Sequence, residues 1–222
     1  MPSAVSQFAG PTTGPPVRGF LHLPETPNGD GLVLTHGAGS DSRAKLLVAV
    51  AETFADSGMT VLRCDLPFRQ NRPTGPPFPA MAVRDREGLR RAVEVMRQKI
   101  AGRVFLGGHS YGGRQATMLA AEAPELIAGL LLLSYPLHPP RKPAELRTAH
   151  FPKLTTPAVF VQGSRDPFGS PAEIEEALKL VPGRHSLTLL EGAGHDLMGR
   201  KSAVPELIVQ AFSGFFGKSA AS

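Results

Sequence analysis

Only one cysteine, Cys64, occurs in the 222 residues, which excludes an internal disulfide and the disulfide-stapled scaffolds of small secreted domains. Long apolar runs are also missing. The longest, residues 126–133, is far too short to span a bilayer. Residues 1–16 lack both a basic n-region and a continuous apolar h-region, so no export signal is read and a cytoplasmic location with no membrane partner is expected. No dense Lys/Arg block or aromatic-interleaved basic motif accompanies the net charge of +5, so that charge reads as a solvated surface and not as a nucleic-acid footprint. Clusters of metal-ligand type and nucleotide-binding glycine motifs are absent, and neither a metal nor a cofactor is expected.

What remains is an ordinary globular composition, 41% hydrophobic and 19% charged, in a chain long enough to bury one sizeable core. Strand and helix signals alternate along it. Strands are expected at 17–23 (an edge strand), 31–35, 59–64, 103–106, 127–133, 158–162 and 186–190. Helices are expected at 44–57, 80–101, 113–123, 171–180 and 205–216, the second with Leu89, Ala92, Val93, Met96 and Ile100 on one face. Residues 65–79 form a Pro-rich loop that ought to lie on the surface. This order predicts an α/β fold: a mostly parallel sheet of about seven strands with helices on both faces. No linker or repeat divides the chain, so a flexible segment over 1–16 and a single domain over 17–217 are expected.

The most informative stretch is Gly108-His109-Ser110-Tyr111-Gly112, directly after the apolar run Val104-Phe105-Leu106. It reads G-x-S-x-G, in which a serine occupies a sharp turn between a strand and a helix, with glycines where side chains would collide. A serine hydroxyl needs a base, and the base needs an orienting acid. Downstream, Gly163-Ser164-Arg165-Asp166-Pro167 and Gly192-Ala193-Gly194-His195-Asp196 each follow a strand end, the place where functional loops collect in such sheets. Ser110, Asp166 and His195 are therefore the candidate catalytic residues. Asp196 adjoins His195 and is badly placed to orient its ring, and Asp65 is expected to brace its own loop. His22 and His185 lie in strands, and His138 and His150 flank a Pro-rich connection. Backbone donors for a developing oxyanion are expected from Tyr111 and from Ala38, with Gly37 as the fallback, while His36 is expected to hold that loop by hydrogen bonding.

These segments, with Arg63-Cys64-Asp65-Leu66-Pro67-Phe68 and Leu133-Ser134-Tyr135-Pro136-Leu137-His138, resemble the α/β-hydrolases of the compact, dienelactone-hydrolase-like type. The likeness is greatest to the group of the testis-expressed hydrolase-like protein and the third regulatory subunit of the NSL complex. The resemblance implies Ser110, Asp166 and His195 as a triad. It also implies a serine esterase cleaving small carboxylic esters or thioesters. A peptidase or acyltransferase with the same triad and a non-catalytic scaffold are the alternatives. Dienelactone hydrolases proper use a cysteine nucleophile, whereas serine stands here. The connection from Tyr135 to Thr156 is too short for a large cap domain, which predicts a shallow pocket bordered by Tyr111, Leu137, Phe168 and Phe68. Arg69, Arg72, Arg141 and Lys142 follow strand ends and are candidates for attracting an anionic substrate.

Overall fold

The central strands of this chain are apolar over most of their length, a pattern that requires cover on both faces of a sheet. In the computed structural model, which describes residues 4–10, 14–198 and 203–217, every residue of β3 (Gly31–Thr35), β4 (Thr60–Cys64) and β6 (Gly129–Leu133) is buried. With β1 (Ala4–Ala9), β2 (Arg18–Leu23), β5 (Val104–His109), β7 (Ala158–Gly163) and β8 (His185–Leu190) they form one sheet in the order β1-β2-β4-β3-β5-β6-β7-β8. The pairs β1–β2 and β2–β4 are antiparallel, and all others are parallel.

Alternation along the strands sends neighbouring side chains to opposite cores. Leu32 and Leu34, with Leu131 and Leu133, meet α1 (Lys45–Asp56) and α6 (Val204–Phe216) through Leu47, Val50, Phe54, Ile208 and Phe212. Val33, Leu130 and Leu132 face α3 (Ala82–Arg97), α4 (Tyr111–Glu122) and α5 (Pro171–Leu178) through Leu89, Val93, Met96, Leu119 and Ile174. The expected helical face of the third helix is thus its buried one. Ser170 caps α5, accepting from Glu173 N–H while the Glu173 carboxylate returns to the Ser170 N–H at 2.9 Å.

Three local readings are corrected. Residues 4–9, assigned to a flexible segment, form β1, and residues 1–3 and 11–13 of that segment lie outside the described residues. Among the described residues the sheet therefore has eight strands, and 17–23 is not an edge, because β2 is paired on both sides. The loop over 65–79 contains a short helix, α2 (Pro67–Asn71), opened by proline at its first position. After β6 the chain runs through turns and one short 3₁₀ segment, Phe151–Lys153, to β7, with no cap insertion. Among the described residues no helix is long and apolar enough to cross a membrane.

Candidate active site

Ser110 sits between the last residue of β5 and the first of α4, with φ 51° and ψ −117°, a region that non-glycine residues enter only under local constraint. The constraint is visible in the glycines around it. A Cβ on Gly108 would lie 2.5 Å from the Gly112 carbonyl carbon, and one on Gly112 would lie 2.6 Å from the His36 oxygen. The turn is that tight because strand and helix leave it almost in contact. It lifts the serine hydroxyl clear of the sheet at the carboxyl end of the strand.

Two loops from neighbouring strands converge on it. Asp166 follows β7 and is buried, and His195 follows β8. His195 Nε2 is 2.8 Å from Ser110 Oγ, and His195 Nδ1 is 2.8 Å from Asp166 Oδ2 and 3.0 Å from Oδ1. The acid is itself held: Oδ2 accepts from Gln162 Nε2 at 3.0 Å, and Oδ1 accepts from the Phe168 N–H at 2.9 Å. With Nδ1–H donated to the carboxylate, Nε2 is free to accept the serine proton. The Phe168 ring stacks on the imidazole with centroids 4.1 Å apart. His109 Nε2–H donates to the His195 carbonyl at 2.7 Å, and burial lowers the His109 pKa to about 4, so this second imidazole stays neutral.

The competing residues are engaged elsewhere. His22 accepts from Arg63 Nε at 2.7 Å within the sheet, and His185 Nδ1 bonds the Gly183 carbonyl. His138 bonds the Pro139 carbonyl, and His150 Nε2 bonds Thr117 Oγ1 at 2.8 Å. Asp196 is exposed, and Asp65 accepts from the Ser42 N–H at 2.7 Å, bracing the loop before α1.

The early glycine loop is pinned from behind. His36 Nε2 accepts from the Leu66 N–H at 3.0 Å, which leaves Nδ1 to donate to the Gly37 carbonyl at 2.8 Å. The Ser40 N–H reaches the same carbonyl at 3.2 Å. A trans peptide directs its N–H opposite to its C=O, so these two bonds orient the Ala38 N–H away from His36. Burial lowers the His36 pKa and keeps the ring in its neutral, loop-holding form. On the other side, the Tyr111 N–H precedes the helical ladder, whose first bond runs from Arg114 N to the Ser110 carbonyl at 3.0 Å. The Tyr111 hydroxyl donates to Asp85 Oδ2 at 2.8 Å, which ties the residue beside the serine to α3.

A cleft of about 680 Å³ opens over the serine, and Ala38, Ser110, Tyr111, Phe168 and His195 line it. Phe68 and Leu137, expected at its border, do not. Both are buried in the core, Phe68 because Pro67 starts α2 and turns the ring inward against His36 and Tyr111. The wall is formed instead by Phe78 and its flanking prolines, with Met118 from α4. The four cations considered for an anionic substrate are also outside the cleft. Arg69 is buried on backbone carbonyls, Arg72 stacks on Phe78 at 4.6 Å, Arg141 is exposed, and Lys142 pairs with Glu145 at 2.8 Å. Arg114 and Arg147 line it in their place. Arg114 was readable in principle, since it lies four residues after Ser110, one turn along the same helix face.

Comparison with known structures returns the same architecture. A dienelactone hydrolase from Anabaena variabilis superposes with a TM-score of 0.75 at 20% identity, covering 97% of this chain and 98% of that one. Est1E from Butyrivibrio proteoclasticus gives 0.73 at 16% identity over 93% and 99%. XC6422 from Xanthomonas campestris, described as an α/β serine hydrolase without a lid, gives 0.67 at 20% identity over 96% and 94%. A family model described as an alpha/beta hydrolase domain matches residues 29–207, and the chain belongs to that family.

Proposed function

We propose that the protein is a serine hydrolase of carboxylesterase type, cleaving small carboxylic esters or thioesters through an acyl-enzyme on Ser110. The observation that carries this reading is the continuous chain from Ser110 Oγ through both nitrogens of His195 to buried Asp166, each link at 2.8 Å, beneath an open cleft. Ser110 Oγ attacks the acyl carbon while its proton passes to His195 Nε2. The carbonyl oxygen becomes an oxyanion facing the Ala38 and Tyr111 N–H groups. Collapse of that adduct expels the alkoxide or thiolate, which takes the proton from Nε2. Water then repeats the sequence against the acyl-enzyme, releasing the acid and restoring Ser110. The Asp166 carboxylate stabilises the imidazolium formed in each half.

The absence of a cap insertion after β6 favours small acyl groups. Beyond the wall made by Phe78 and its prolines, a long chain returns to water, and added methylenes gain little of the ~0.8 kcal/mol each that full burial gives. The test is a series of aryl esters from acetyl to palmitoyl, run beside aryl amides. Highest kcat/KM at acetyl to butyryl, with amides slower, supports an esterase for short acyl groups. A maximum at decanoyl or beyond would mean that the segment around Phe78 closes over the site as a lid. The scaffold role suggested by the NSL-subunit group forecasts no turnover of any ester.

A further inference from the structure

Two buried hydrogen-bond donors on the wall beside the serine have no partner among the described residues. Gln115, only 1% exposed, lines the cleft, and its Oε1 accepts from Arg86 Nη1 at 3.2 Å. Because arginine has only donors, that bond fixes which end of the amide is oxygen. The other end, Nε2, is buried without a hydrogen-bond partner among the described residues. The adjacent Arg114, also lining the cleft, has its Nε in the same condition. Buried polar groups are nearly always satisfied, so a pair of unspent donors on the wall of one cleft points to an acceptor that arrives with a ligand.

The charge around them has one sign. Arg147, from the connection between β6 and β7, lines the same cleft, and its one side-chain bond among the described residues is a long one, from Nη1 to the Pro136 carbonyl at 3.4 Å. None of the described lining residues is an aspartate or glutamate. Arg147 holds its proton less firmly than usual, through burial and then through the charge of Arg114, so the two guanidiniums feel one another. Glu145, the acid that acts on Arg147, is exposed and already paired with Lys142. Two like charges gathered on a part-buried wall, with no counter-ion supplied, repel each other until an anion enters. By contrast Arg86, which faces away from the cleft, has Glu122 at 3.0 Å.

We propose that Arg114, Gln115 and Arg147 form a carboxylate-binding pole of the cleft, so that the preferred substrates are esters that also carry a carboxylate. This rests on the reading of Ser110 as the nucleophile and adds the substrate class to it. A carboxylate is planar and has two oxygens, which suits a guanidinium on one and an amide N–H on the other. Arg114 follows Ser110 by one helical turn, an axial rise of roughly 6 Å. The carboxylate therefore stands a few bonds from the reacting carbonyl, as in a glutarate monoester or an acylated hydroxybenzoate. Phe78, Met118 and Phe168 flank the apolar part between the two ends.

Two matched pairs of substrates test this. On the acyl side, phenyl hemiglutarate is compared with phenyl valerate. On the alcohol side, 4-acetoxybenzoate is compared with 4-acetoxybenzamide. In the wild type at least one anionic member should exceed its neutral partner in kcat/KM by on the order of tenfold, mainly through KM, and Arg114→Gln and Arg147→Gln should each collapse that ratio. Arg147→Lys, which keeps the charge, should retain part of it. A ratio at or below one in both wild-type pairs overturns the proposal without needing any variant to fold, as does a ratio that survives both glutamine variants. Fluorophosphonate labelling of Ser110 separates the two readings. A labelled enzyme with no anion preference removes the carboxylate pole alone, whereas an unlabelled one removes the hydrolase reading. In that second case benzoate titrated into the wild type and into Arg147→Gln still reads the pole, and absence of binding to the wild type refutes it.

Discussion

Arg69 Nη2 holds the Ala38 carbonyl at 2.7 Å, linking α2 to the loop that carries a candidate oxyanion donor. The same guanidinium reaches the carbonyls of Ser40 at 2.8 Å, Arg72 at 3.0 Å and Gly75 at 3.1 Å. One planar cation thus fastens the glycine loop to the segment leading into the cleft wall at Phe78. Since its donors are spent on backbone, it acts on geometry and not on substrate charge.

Arg69→Lys should lower kcat by on the order of ten- to a hundredfold with little change in KM, because a point charge cannot satisfy four carbonyls at once. It should also cost about 1–3 kcal/mol of stability, as buried carbonyls lose their donors. Steady-state kinetics beside a thermal melt reads both. A variant with an unchanged kcat would mean that the loop keeps its shape without the clamp.

Asp166→Asn should preserve the fold and cut turnover by on the order of 10⁴-fold, since an amide cannot stabilise the imidazolium of His195 and favours the wrong tautomer. Asp196→Asn, at an exposed position, and Asp65→Asn, at a loop brace, should each cost far less. If Asp196→Asn proved the more damaging of the three, the acid would be misassigned.

Stability should fall as the pH drops from 6.5 towards 4. Burial lowers the pKa of His22, His109 and His150 from 6.5 to about 4 in the native protein. Across that window the unfolded chain binds protons that the folded one refuses, so protonation pulls towards unfolding. His36 is shifted in the same direction, whereas Asp85 works the other way because burial raises its pKa, one group against four. Melting temperatures measured across this range should decline, and His22→Gln, which keeps an acceptor for Arg63, should make the decline shallower. A flat profile from pH 6.5 to 4 would show that these rings titrate normally in the fold.

The parts of the fold legible in the sequence are those written in apolar runs and small-residue punctuation. Strands β3, β6 and β7 are dominated by Leu, Val and other apolar residues, and Ser110, Asp166 and His195 each sit among glycines or turn residues just past a strand end. Strand β1 was not legible because its side chains are exposed except for the part-buried Phe8, and its order comes from pairing with β2. The last three residues of β5, Gly107-Gly108-His109, have poor strand propensity and are extended because β6 pairs along them. The cleft wall was missed for a different reason. Which of Phe68, Phe78 and Arg69 faces the serine depends on where α2 begins and how it packs, a tertiary fact with no local signature.

Covalent capture of Ser110 tests the central claim most directly. The protein is incubated with a fluorophosphonate and its mass and modified peptide are read by mass spectrometry. Cys64 will not compete, since it is buried and its thiol is pushed up to about 12 by desolvation. One adduct per chain, located on Ser110, lost in Ser110→Ala and strongly slowed in His195→Ala, is the expected result. A folded wild-type protein that takes up no label, or a Ser110→Ala variant that labels as fast as the wild type, would contradict it.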